Sequence, residues 1–160
     1  MLALPKKING LLKFLRRFQT FFDINTMEIL KHPDPRLRLT SAPVINFDKQ
    51  LAKITQAMFA SMKKNIGVGL AAPQIGVLEQ LAVIKYNKKK LVLINPKITA
   101  ASGSSIMEEA CLSVPEQFGY VERFTEITVE AQNIKGEFFK ITAQEYFARI
   151  IQHELDHLKG

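Results

Sequence analysis

Thr142-Ala-Gln-Glu-Tyr-Phe-Ala-Arg-Ile-Ile-Gln-His-Glu-Leu-Asp-His-Leu-Lys-Gly160 closes the sequence and decides how the rest is read. Thr142 and Glu145 stand three apart ahead of an apolar run, the spacing of a capping box, which predicts a helix from there to Lys159. Within it, His153-Glu154-Leu155-Asp156-His157 fits HExxH. Residues four apart lie one turn above each other on a helix. Both imidazoles can therefore reach one metal ion while Glu154 approaches a water bound to it. A catalytic site of this kind normally holds its metal with three protein ligands and keeps one position open. Metalloproteases with this motif draw the third ligand from downstream, whereas here the sequence runs only to Gly160. The third ligand is expected from the N-terminal side.

Cys111 is the upstream candidate. A thiolate binds zinc or ferrous iron strongly, and coordination removes its proton. Its setting, Glu108-Glu109-Ala110-Cys111-Leu112-Ser113-Val114-Pro115, places acids close before the thiol, an unusual surrounding for an apolar core position. Farther upstream, Gly67-Val68-Gly69-Leu70-Ala71-Ala72-Pro73-Gln74 combines small residues, which permit close backbone approach, with a glutamine whose amide can donate to a developing oxyanion. It is no dinucleotide fingerprint, because the third glycine and the preceding strand are missing. A Cys-His-His donor set accepts zinc, ferrous iron, nickel or cobalt, and affinity order alone does not choose among them.

The 160 residues are 47% hydrophobic and 23% charged, with one cysteine and a net charge of +7. These proportions disfavour disorder, a collagen-like repeat and a disulfide scaffold, and a lone cysteine fits a reducing compartment such as cytosol. No uncharged apolar run reaches the roughly 18 residues of a spanning helix. Residues 1–26 hold Lys6, Lys7, Lys13, Arg16 and Arg17 against Asp23, so the remaining body is only mildly basic. Specific nucleic-acid binding is not expected of it. Ile8, Leu11, Leu12, Leu15, Phe18 and Phe22 recur at helical spacing among the basic residues, the pattern of a basic amphipathic helix. This extension is read as a non-native start upstream of Met27, with organellar targeting by residues 1–22 or membrane-surface binding as the alternatives. The sequence divides into the extension, 1–26, and one domain, 27–160.

From Met27 onward, Pro33 and Pro35 are expected to hold 32–36 extended and exclude a helix there. Asp48 caps a helix running to about Asn65, with Leu51, Ile54, Met58 and Met62 on one face and Gly67 and Gly69 stopping it. Strands at 80–86 and 91–95 join across Lys88 to Lys90, and strands at 125–132 and 137–141 join across Asn133 to Gly136. Two hairpins flanked by helices, without strand-helix alternation, predict an α+β fold.

Taken together, the three segments resemble the peptide deformylase family, whose signatures are GxGxAAxQ, EGCLS and HExxH followed by LxG, in that order. The sequence reads GVGLAAPQ at 67–74, EACLS at 109–113 and HELDHLKG at 153–160, and the resemblance runs from about Met27, through HPDPRLR, to the end. It implies antiparallel or mixed sheets packed around a central C-terminal helix that carries HExxH. It also implies a metal-dependent hydrolase of protein biosynthesis and N-terminal processing, removing the formyl group from N-formylmethionine of nascent polypeptides. By the same resemblance Cys111, His153 and His157 are the metal ligands and Glu154 is the general acid and base. Gln74 and the backbone amide of Leu112 line the oxyanion hole. Gly69 pairs with the substrate backbone, Ala110 adjoins the bound peptide, and Glu109, paired with Arg123, supports the ligands from behind. Fe2+ is the implied ion in vivo, with Zn2+, Ni2+ or Co2+ as other occupants. The implied partners are formyl-Met nascent peptides and, transiently, the ribosome; the implied state is a monomer in bacterial cytoplasm.

Two features depart from the family pattern. Ala110 stands in place of the glycine of EGCLS, where a Cβ would cost roughly 1–2 kcal/mol if the position needs positive φ, and could crowd the peptide. Many members continue past the position of Gly160. These departures define the alternative function: a weakly active or inactive deformylase-like protein that binds metal and peptide. A minimal metalloprotease is a third reading and lacks its downstream ligand.

Overall fold

The burial pattern of one strand sets the architecture. In β2, Leu81–Tyr86, four successive residues from Leu81 to Ile84 are fully buried, so both faces of the strand are covered. The structure, a computed structural model, describes residues 27–160; the expectation for residues 1–26 lies outside them. Leu81 and Val83 pack with Leu51, Ile54, Met58 and Met62 of helix α1, Lys49–Lys64. Ile84 points the other way, as alternation requires. It joins Leu93, Ile127 and Val129 against Ala148, Ile151 and Leu155 of helix α2, Glu145–His157. A single sheet is held between two helices, each contributing its apolar stripe.

That sheet has the order β1 (Gly69–Ala71), β2, β3 (Lys89–Ser102), β6 (Glu126–Gln132) and β7 (Phe138–Gln144), with every neighbouring pair antiparallel. Strands β4 (Ser105–Cys111) and β5 (Val114–Arg123) form a separate antiparallel pair. The α+β class holds, and the strand pairings are antiparallel rather than mixed.

Several local expectations are corrected. The last helix starts at Glu145, not Thr142, and its N-cap Gln144 makes no side-chain cap bond. Thr142 instead lies in β7, opposite Thr128 of β6, with the two hydroxyls 3.2 Å apart. The amide of Glu145, which a cap at Thr142 would have served, donates instead to the carbonyl of Thr125 at 2.7 Å. The helix also ends at His157, two residues before Lys159, because a tighter turn takes over: the amide of Lys159 donates to the carbonyl of Asp156 at 2.9 Å. Pro33 and Pro35 do not exclude a helix. Pro35–Arg38 forms a short 3-10 helix, with Asp34 accepting from the amide of Arg36 at 2.9 Å. Proline suits a first helical position because its missing N–H is unneeded there.

Helix α1 is capped by Asp48, which accepts from the amides of Gln50 and Leu51. It is not stopped by Gly67 and Gly69. The amide of Gly67 donates to Met62 and that of Ile66 to Lys63, a Schellman closure that puts Ile66 in the left-handed region at φ 58°. Gly69 is already in β1. The 91–95 strand extends to Ser102, since Asn95 takes φ 50° and the β3–β6 register shifts between Ile94 and Lys97. Such a bulge lets Pro96 sit inside a strand.

Candidate metal centre and active site

Three separate elements supply the site. Helix α2 projects His153 and His157 from the same side, with ring centroids 5.0 Å apart and planes at 78°. Strand β4 ends at Cys111, and the turn through Leu112 and Ser113 reverses the chain into β5. The sulfur of Cys111 lies 3.2 Å from Nε2 of His157. One ligand atom from each of Cys111, His153 and His157 falls within 4.8 Å of the others. Charge balance and donor type suit a divalent cation: one soft thiolate and two imidazoles are a familiar zinc or ferrous iron set, with room for a fourth position.

Glu109 fixes which nitrogen of His153 is available. Its Oε2 is 3.0 Å from His153 Nδ1, while Arg123 donates from Nε and Nη2 at 2.9 and 3.0 Å and Arg149 from Nη1 at 2.7 Å. Burial pushes the Glu109 carboxyl up, but the bonds from Arg123, His153 and Arg149 outweigh it and hold the group down at about 2. An ionised carboxylate only accepts, so Nδ1 must carry a proton, which leaves Nε2 as the nitrogen to offer a metal. The expected pairing of Glu109 with Arg123 is present, and Arg123 also bridges to Asp156. His157 is held down to about 4, chiefly by burial and then by the nearby His153, so it is neutral at pH 7 as a ligand must be. Burial raises the Cys111 thiol, opposed by the amides of Ser113 and Val114 and by Lys31. A bound cation would reverse that preference outright.

Glu154 points toward the same space from α2. It is 4% exposed, its Oε2 has no hydrogen-bond partner, and burial drives its carboxyl up to about 8. A buried polar oxygen without a partner is costly, and most such oxygens in folded proteins have one. A water or cation beside it would supply the missing interaction, so these residues fit a metal centre. Gly69 in β1 lies directly against the Glu154 carboxylate.

Gln74 sits on a short 3-10 helix, Ala72–Ile75, and is 2% exposed. Its Oε1 accepts from the amide of Ala71 at 2.8 Å, which orients the amide group. Nε2 then donates to Ser113 Oγ at 3.1 Å and faces Cys111 Sγ at 3.7 Å. Ala110 is in β4 and is not among the residues with positive φ, so its Cβ carries no backbone strain. Gly69, Gln74, Ala110, Leu112, His153 and Glu154 all line one cavity of about 300 Å³, to which Ile66, Val68 and Tyr146 add apolar surface.

Arg149 and Ser113 were missed in the sequence. Arg149 stands four residues before His153, hence on the same helical face, which was the available signal. Ser113 follows the EACLS pattern but gives no sign of its bond to Gln74.

The profile of the Polypeptide deformylase family matches residues 26–160. Peptide deformylase 1 of Bacillus cereus is 46% identical over 136 residues, covering 84% of this chain and 87% of that relative. A peptide deformylase of Clostridium acetobutylicum is 47% identical over 132 residues, covering 82% and 88%. The crystal structure of a peptide deformylase from Legionella pneumophila is similar at TM-score 0.82 and 42% identity, over 84% of this chain and 81% of that one. That of Thermotoga maritima is similar at TM-score 0.82 and 38% identity, over 84% and 92%. With its profile matched from end to end of the described domain and its three segments gathered around one cavity, the chain belongs to the peptide deformylase family.

Proposed function

We propose that this protein hydrolyses the formyl group from N-formylmethionine at the start of nascent polypeptides, with Cys111, His153 and His157 holding one divalent cation. The observation that carries this is the Glu154 carboxylate, buried and lacking a partner beside three converging donor atoms. A cation held by those donors would supply Lewis acidity, lowering the pKa of a bound water toward about 7 and polarising a carbonyl oxygen. Burial alone raises the Glu154 carboxyl to about 8, and a cation beside it would favour the ionised form, so that the carboxylate could take a proton and return it to the departing amine. Cleavage of the formyl C–N bond then gives formate and a free methionyl amine.

Gln74 Nε2 and the Leu112 amide are the donors assigned to the oxyanion, each a type of contact worth roughly 3–4 kcal/mol. The bond from Ala71 to Gln74 Oε1 supports this, because it keeps Nε2 turned toward the sulfur. Gly69 is the assigned backbone partner of the substrate, Ala110 borders the peptide, and the apolar part of the cavity suits a methionine side chain. Glu109 and Arg123 are assigned to holding His153. Fe2+ is the ion assigned in vivo, and Zn2+, Ni2+ or Co2+ would fit the same donors. We assign residues 27–160 as one catalytic domain, working as a monomer in bacterial cytoplasm with transient ribosome contact. Among the described residues no helix is long and apolar enough to cross a membrane.

The test is formate release from formyl-Met-Ala-Ser by the metal-loaded wild type and by Glu154→Ala. The wild type should release formate and Met-Ala-Ser. The variant should keep its metal and lose on the order of 10²–10⁴-fold in rate, the usual contribution of a general base. Metal and peptide binding without formate from the wild type would favour the inactive-relative alternative instead.

A further inference from the structure

We infer that Arg149 is a positioning residue that locks the cysteine-bearing hairpin to the histidine-bearing helix and so sets the geometry of the metal ligands. The inference rests on the assignment of Cys111, His153 and His157 to one cation.

The hairpin β4–β5 carries Cys111 yet shares no strand pairing with the five-stranded sheet against which α2 packs. Backbone ladders therefore do not fix the sulfur relative to the imidazoles. Among the described residues the direct links between the hairpin and α2 run through side chains, and Arg149 makes more of them than any other single residue of α2. Its guanidinium is 3% exposed. From Nη1 it donates to Glu109 Oε1 at 2.7 Å and to the carbonyl of Val121 at 2.8 Å. From Nη2 it donates to the carbonyl of Ser105 at 2.7 Å and to Ser105 Oγ at 2.9 Å. All four acceptors belong to the hairpin, on both of its strands.

The bond to Glu109 has a second effect. Arg149 and Arg123 Nε share Oε1, which leaves Oε2 to Arg123 Nη2 and His153 Nδ1. Removing Arg149 frees the carboxylate to turn, and with it the ring whose Nε2 faces the metal. A planar fork with several donors in fixed directions meets Glu109, Val121 and Ser105 at once, whereas a lysine carries its three donors on one nitrogen at the end of a flexible stem. A charge buried this deeply is otherwise expensive, and its retention here is matched by one carboxylate and three further oxygen acceptors on Nη1 and Nη2.

The full chain, loaded with Co2+, provides the experiment for wild type, Arg149→Met and Arg149→Lys. Folding is checked by circular dichroism, the ligand field by the visible cobalt bands, and metal retention by the rate of Co2+ loss to a chelator. Both folded variants should shift the cobalt bands and release Co2+ roughly 10- to 100-fold faster, the range typical when a group supporting a ligand is lost. The kcat should fall more than KM rises. A folded variant with wild-type bands and release rate, even one of lower thermal stability, overturns the inference, since a merely structural role would leave the ligand field alone. If Arg149→Met fails to fold, Arg149→Lys decides by the same two readouts. If the wild type binds Co2+ but releases no formate, deformylation is refuted while the bands and release rates still judge Arg149.

Discussion

The carboxylate of Glu154 occupies the space that a side chain at position 69 would fill: a Cβ built on Gly69 would collide with Oε1 and lie 2.7 Å from Cδ. Gly69 is needed here for the absence of a side chain, not for its backbone angles. Gly69→Ala should displace the carboxylate while leaving the metal donors in place. A shift of about 1 Å can cost on the order of 100-fold in rate. Steady-state kinetics with metal analysis checks this, and a near-wild-type kcat would mean that the carboxylate need not sit there.

Ile66 offers a stability test. It is 94% exposed and held at φ 58° by the closure of α1, a conformation that costs a β-branched residue roughly 1–2 kcal/mol. Glycine adopts it freely but loses more entropy on folding, so Ile66→Gly should stabilise the protein by about 0.5–1 kcal/mol. Urea denaturation with an unchanged slope would show it.

The chemistry of the site was far more legible than the frame that assembles it. HExxH, a cysteine among acids and a small-residue segment ending in glutamine could be read because each demands particular residue types at fixed spacing. The helix from Asp48 and the turn within Asn133 to Gly136 were readable for local reasons: a cap, a helical stripe and strand ends. The turn expected at Lys88 to Lys90 falls instead at Asn87 and Lys88, both at positive φ, and Lys89 and Lys90 already pair with Tyr86 and Lys85. The β4–β5 hairpin was not. Ile106, Phe118 and Tyr120 are exposed on it, so no buried face imposes a period of two. Thr142 misled because strand pairing with Thr128 overrode a valid local cap signal. Arg149 was hidden because its acceptors lie 28 to 44 residues away in sequence.

Stability of the metal-free protein should depend on pH in a way set by Glu154. Burial raises its carboxyl from 4.5 to about 8, so the folded state binds the extra proton and stability falls as pH rises through that interval. His157 acts oppositely: lowered from 6.5 to about 4, it adds stability as pH rises across that window. The two oppose each other up to about pH 6.5, and above it Glu154 acts alone. Chelator-treated protein should lose at most about 1.4 kcal/mol per pH unit between about pH 6.5 and 8. Glu154→Gln should flatten the slope; an unchanged slope would assign the proton to another group.

The meeting of one sulfur with two imidazoles is tested most directly by X-ray absorption at the metal edge of the metal-loaded wild type. The expected first shell holds one sulfur at about 2.3 Å and two imidazole nitrogens at about 2.0–2.1 Å if zinc is used, with the sulfur lost in Cys111→Ser. A wild-type shell of nitrogen and oxygen alone would contradict the assignment of Cys111 and, with it, the proposed centre.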